Sequence, residues 1–348
     1  MIHSYVYTLN AQKNDAGRQE PALPLPYAAE DVLFDNQTAK IKLAGTLTIP
    51  RGKGPYPAVV LIPRSGPLDR DERMLNHRPF LILADYLTRA GIAVLRADVR
   101  GVGKSSGKYG GASTDDSASD AEAAVRYLKT RPEVDPHKIG LLSHGEGGLA
   151  APIVAARNAD VAFVVMMGAP AVPAAENSVE SSRLNAEGNG ELYRKADEQA
   201  ARTREILSLL QAPADAASLD RKLRELLGGK VPERQIAGQI RQLTSPEFRR
   251  TMTYDPAVEL KKLACPVLAL YAEKDLSVPA ELNLPAMLAA LKSSGNKNFQ
   301  VEELPDLGLL FQTADIGIGR EANWTEETMS PVALKKIADW LSRQALSQ

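Results

Sequence analysis

Between positions 139 and 148 the chain reads Ile-Gly-Leu-Leu-Ser-His-Gly-Glu-Gly-Gly. A short apolar run ends at a Gly-rich turn, and a helical pattern over 146–156 begins with no linker between them. This strand–turn–helix unit is the building block of a parallel sheet covered by helices. The rest of the chain repeats it. Residues 57–62 and 161–167 are continuous apolar runs, as expected of strands covered on both faces. Residues 41–49 alternate apolar and polar side chains, the period of a half-buried strand. Phe80, Leu83 and Leu87 keep helical spacing up to a stop at Gly91, residues 92–95 make the next strand, and 121–128 fit a helix.

After 167 the rhythm breaks. Residues 173–250 are helical in pattern and charged, with Tyr193 and Phe248 as the only aromatics. Strands resume at 266–271 and 299–304. A final helix starts at Ser330-Pro331, a good cap followed by a good first residue, with Leu334, Ile337, Leu341 and Ala345 as its apolar stripe. The predicted architecture is a doubly wound, mostly parallel sheet built from 27–172 and 251–348. A helical lid, 173–250, is inserted over the C-terminal ends of the strands, where sites form in such sheets. Residues 1–26, polar and Pro-rich after position 10, are expected to form an arm.

Composition narrows the partners. Net charge is −1 with both signs mixed, which favours neither nucleic acid nor an anionic membrane surface. Residues 1–10 lack the basic-then-apolar pattern of a signal peptide, and no run approaches the ~18 apolar residues of a membrane span, so a cytoplasmic location is expected. The lone Cys265 sits in an apolar strand and reads as a buried thiol. No metal-ligand spacing occurs, since His144 and Glu146 do not form a His-Glu-x-x-His helix, and no cofactor is expected. Gly101-Val-Gly-Lys-Ser105 ends like a phosphate loop, but Asp98 stands where the first Gly of that motif is required.

The 139–148 segment has the context of a nucleophile elbow, a sharp turn that pushes one side chain into a pocket. Its apex is Gly145, and the N–H of Glu146 is aimed at the pocket from a helix N-terminus. Four further segments extend the pattern: Pro63-Arg-Ser-Gly-Pro-Leu-Asp-Arg-Asp71, Asp98-Val-Arg-Gly-Val-Gly-Lys-Ser105, Glu273-Lys-Asp-Leu-Ser-Val-Pro279 and Leu304-Pro-Asp-Leu-Gly-Leu-Leu-Phe-Gln312. In order and content they resemble a bacterial α/β-hydrolase family of esterase and serine-aminopeptidase-like proteins, over about residues 24–343. The resemblance implies the α/β-hydrolase fold. It also implies a serine–acid–histidine site with a second oxyanion N–H from the loop after the early strand 57–62, here that of Ser65.

Carried over residue by residue, the resemblance is uneven. The acid is Asp275. The nucleophile position is Gly145, where relatives have Ser, and the histidine position is Leu309. The chain has four histidines, His3, His77, His137 and His144, and none follows Asp275 as the order nucleophile, acid, histidine requires. Loss of such partners costs on the order of 10⁶ in turnover in a serine protease. Ser143 and His144 flank the apex, and His77 follows the oxyanion loop; each is a candidate to border the pocket, although a packing role suits all three. Arg64, where relatives have Gly, would put a cation near the pocket or pair with Asp69 or Asp71. Glu247 replaces an expected aromatic at the lid end, which suggests a more polar pocket. These residues point to a non-hydrolytic binder of a small acyl or carboxylate ligand. An enzyme with a non-standard nucleophile or base, and an engineered inactive esterase, fit the same pattern.

Overall fold

The computed structural model describes residues 19–211, 215–228, 232–319 and 321–346. The arm up to residue 18 and the side chains of Glu247 and Ala345 lie outside the described residues. Eight strands form one sheet: β1 (Ala28–Asn36), β2 (Ile41–Ile49), β3 (Tyr56–Ile62), β4 (Ala93–Ala97), β5 (Val134–His144), β6 (Val161–Met167), β7 (Val267–Ala272) and β8 (Phe299–Leu304). Their order is β1-β2-β4-β3-β5-β6-β7-β8. β1 and β2 run antiparallel to their neighbours, and the pairs from β4 to β8 are parallel. The helices are α1 (Pro79–Arg89), α2 (Thr114–Lys129), α3 (Gly147–Arg157), α4 (Ala174–Gly188), α5 (Tyr193–Gln211), α6 (Ala216–Leu227), α7 (Glu233–Leu243), α8 (Pro246–Thr253), α9 (Ala257–Leu260), α10 (Ala280–Ser293) and α11 (Pro331–Leu346). This is an α/β-hydrolase fold.

The apolar strands are buried on both faces because successive side chains leave in opposite directions. Val60 and Ile62 join Leu141, Val164, Ala124 and Ile153 in one core layer, beneath α2 and α3. Val59 and Leu61 join Leu142, Val165, Leu83 and Ile337 in the other, beneath α1 and α11. Each such side chain contributes roughly 1.5–3 kcal/mol by leaving water, so neither face tolerates a polar residue and alternation disappears from the sequence.

Parallel register brings the strand ends to one edge. Ile62 pairs with Ser143, His144 with Met167, and Ala272 with Leu304. The loops after β3, β5, β6, β7 and β8 therefore meet there. Helices α4–α8 are inserted between β6 and β7 with their own apolar cluster, including Ile206, Leu223, Ile236 and Ile240. α4 is tied to the main body by Asn177, whose Nδ2 donates to the Ser277 carbonyl at 2.7 Å and whose Oδ1 accepts from Asn283 Nδ2 at 2.8 Å. Three elements were absent from the sequence reading, the edge strand β1, the short helix α9 and the helix α10, which carries Pro285 inside it.

Candidate functional site

β5 delivers the chain to Gly145, whose φ of +52° lies in the left-handed region. Its N–H donates to the Met167 carbonyl at 2.8 Å, and its carbonyl accepts from Gly148 N at 2.9 Å as α3 begins. The turn is the elbow, with the helix packed so closely that a Cβ on Gly147 would lie 2.5 Å from the Pro63 carbonyl oxygen. At the apex a nucleophilic side chain would project from Cβ, and that space is shared with Arg64. A Cβ built on Gly145 falls 3.0 Å from Arg64 Cβ and 3.8 Å from its Nε. The Arg64 side chain is only 10% exposed, so the apex is covered by a largely buried cation.

Arg64 also reaches outward. Its Nη2 lies 3.8 Å from Glu146 Oε2, and the same oxygen accepts from the Ser65 N–H at 3.4 Å. Asp69 pairs with Arg73, and Asp71 with Arg96 and Arg78. The main chain of Arg64 is fixed from the opposite side, where its N–H donates to Glu72 Oε1 at 2.9 Å.

Glu72 is fully buried, and its second oxygen lies 2.8 Å from His144 Nδ1. The other ring nitrogen, Nε2, lies 2.9 Å from the Leu309 carbonyl oxygen. Both ring nitrogens thus face oxygen acceptors, the arrangement that an imidazolium, with a donor at each nitrogen, satisfies. Burial opposes that charge, but the attraction of Glu72 and its hydrogen bond outweigh it and raise the His144 pKa above the ordinary histidine value. Sequence reading missed Glu72. In the run Asp-Arg-Asp-Glu-Arg it looks like one more solvated charge, and nothing local reveals that φ of +55° turns it inward.

Asp275, after β7, is buried beside Gly168. Its Oδ1 accepts from the N–H groups of Ser277 at 2.8 Å and Val278 at 3.2 Å. Burial raises its pKa; the Arg64 charge, these two bonds and the His144 charge offset that only in part. Leu309 turns its side chain into a small cluster with Met74, Leu310 and Ala322. Gly145, Asp275 and Leu309 are thus all buried.

A cleft of about 170 Å³ opens on the α2–α3 side of this cluster. It is lined by Arg64, Ser65 and Glu146, by apolar side chains such as Val60, Ile62 and Leu149, and by Thr251 from the inserted α8. Gly145, Asp275 and Leu309 do not line it, nor do Ser143, His144 or His77. Ser143 is buried, with its Oγ 3.3 Å from the Val165 carbonyl oxygen. His77 is buried between Thr328 Oγ1, 2.9 Å from Nδ1, and the Ala322 carbonyl, 2.6 Å from Nε2, and so anchors the loop before α11. Among the described residues no group of His, Cys, Asp and Glu could hold a metal ion, and no helix is long and apolar enough to cross a membrane.

Comparison with known proteins fits this geometry. Residues 78–303, more than half of the chain, match the model of a family described as serine aminopeptidase, S33. The chain belongs to this family. Esterase EstD of Thermotoga maritima is 29% identical over 290 residues; the match covers 82% of this chain but spans only 62% of the relative's length. Among solved structures, the serine-aminopeptidase-family chain is similar to the α/β hydrolase GrgF from Penicillium sp. sh18, with TM-score 0.57 and 18% identity over 91% of this chain and 99% of that one. It is similar also to the esterase Pf2001 of Pyrococcus furiosus, with TM-score 0.57 and 16% identity over 96% and 99%. At such identities the likeness is one of fold.

Proposed function

We propose that this chain is a non-hydrolytic member of its family, which holds a small acyl or carboxylate ligand in the cleft beside Arg64 and Ser65 and does not cleave an ester. One observation carries the reading: the point from which a nucleophile would grow lies 3.0 Å from Arg64 Cβ, on a residue that has no side chain. The alternative of a non-standard nucleophile or base gains no support. The Ser143 hydroxyl faces a β6 carbonyl, and the rings of His77 and His144 are held at both nitrogens. A general base must instead reach the proton that it takes. A cation, a backbone N–H and an apolar wall in a small cleft suit a ligand with one anionic or strongly polar end. α8, which contributes Thr251, is the part of the insertion that would act as a lid over it.

The test is hydrolysis of p-nitrophenyl butyrate together with labelling by a fluorophosphonate. No labelling and no turnover above background are expected. Turnover near an ordinary enzyme's ~10 s⁻¹, with one labelled serine, would overturn the proposal.

A further inference from the structure

The cleft already contains a carboxylate. Glu146 Oε2 is the atom that meets both the Ser65 N–H and the Arg64 guanidinium. It stands where the charge of an anionic ligand would be received, at the mouth of α3, whose N-terminus favours negative charge. Both contacts are long. The 3.4 Å of the first exceeds the ~2.9–3.0 Å of a good N–H···O bond, and the 3.8 Å of the second is a loose ion pair. The Glu146 side chain is 38% exposed whereas the Arg64 side chain is 10% exposed. The acceptor is therefore free to swing toward solvent, and the donors are fixed: Arg64 by packing and by the bond from its N–H to Glu72, Ser65 by its place beside it.

Resting on the reading above, we propose that Glu146 is a built-in occupant of a carboxylate site made by Arg64 and Ser65, and that a small monocarboxylate binds by displacing it. The Ser65 N–H has one hydrogen to donate, so a ligand oxygen takes it only when Glu146 Oε2 leaves. Binding and departure of Glu146 are thus one event. The rest of the cleft sets the ligand's size. About 170 Å³ is on the order of five or six water volumes, well short of a drug-sized site. Val60, Ile62, Leu149 and Ala124 offer an apolar wall for a short aliphatic tail. The polar far end is self-satisfied, with Asp98 held by Arg70 and Arg100 by Asp116 and Asp120. Arg64 and Ser65 are the end at which Glu146 already places a carboxylate.

The experiment is calorimetric titration of butanoate into the parent protein, E146Q, E146A and R64M, with thermal unfolding of each as a check of fold. E146Q loses the charge but keeps an acceptor for the Ser65 N–H; E146A loses both. Affinity is expected to rise in the order parent, E146Q, E146A, by at least about tenfold overall, and to vanish in R64M. Equal or weaker binding to E146A than to the parent overturns the displacement and leaves the binding function standing. Butanoate binding to none of the proteins overturns both.

Discussion

Arg64 Cβ lies 3.0 Å from the position that a Cβ on Gly145 would take. A side chain at 145 therefore meets Arg64 at its Cβ, and one of the two must shift by a few tenths of an ångström. A residue with a side chain at 145 must also accept φ of +52°. Gly145→Ser should thus destabilise the protein by about 1–3 kcal/mol, and Arg64→Gly in the same chain should relieve part of that. The double variant G145S/L309H is expected to remain without esterase activity, and the triple variant with R64G to gain measurable turnover of p-nitrophenyl acetate. Steady-state assays and urea unfolding decide the matter; full activity in the double variant would show that Arg64 moves aside at little cost.

Asp275 is a buried carboxylate held by the N–H groups of Ser277 and Val278. Burial raises its pKa, whereas Arg64, two backbone N–H groups and His144 act against the rise. An asparagine keeps an acceptor for Ser277 and Val278 and removes the cost of an ionised oxygen. Asp275→Asn is expected to be neutral or stabilising at pH 7 in thermal unfolding. A loss beyond about 1 kcal/mol would mean that attraction to Arg64 and His144 exceeds the burial penalty.

The His144–Glu72 pair makes stability depend on pH in a defined direction. The folded-state pKa of His144 is raised, so the folded protein keeps a proton that the unfolded chain gives up near ~6.5. The contribution of the pair is complete below that value and is lost as pH rises through the folded value. Asp275, also raised, acts in the same sense from a lower starting point. The urea midpoint should fall between pH 6 and 9, and His144→Gln should flatten the profile. Glu72→Ala, which strands a buried cation, should cost about 3–5 kcal/mol. A midpoint that rises with pH over this range would remove the imidazolium assignment.

The insertion has an apolar cluster of its own, and Asn177 is among its few polar ties to the body. Replacing residues 173–250 by a short Gly-Ser linker is expected to leave one cooperative unfolding transition. Losing the Asn177–Asn283 bond should lower stability by about 1 kcal/mol. Disappearance of the transition, followed by circular dichroism, would make these helices part of the main core.

The sheet was legible where burial is two-sided. Residues 57–62, 139–142 and 161–167 have no polar position because each face meets a helix layer, and this is visible in one sequence. β1 was not, because it is an edge: Phe34 and Asn36 turn inward while Leu33 and most of the other residues face water, which leaves a pattern of mixed charge. The sharp turn at Gly145 was legible as well, since a strand that runs into a Gly-rich turn and a helix is visible in the local sequence. The partners of charge were not. Arg64 reaches Glu146, eighty-two residues away in the chain, and Glu72 meets His144 across seventy-two. Such pairs depend on where loops of different strands meet, and sequence distance carries no trace of it.

The His144 ring joins the loops after β3 and β8, through Glu72 on one side and the Leu309 carbonyl on the other. Mechanically it is a cross-tie. Two sides of the strand-end edge are coupled through one rigid plane, and a shift of either drags the other or breaks a buried charged bond. The side of the cleft lined by Thr251 of α8 has no part in this cross-tie. A molecule reaching Arg64 would therefore come in past the inserted helices, and the traffic of the cleft would be set by how often α8 lifts rather than by any opening of the sheet edge itself.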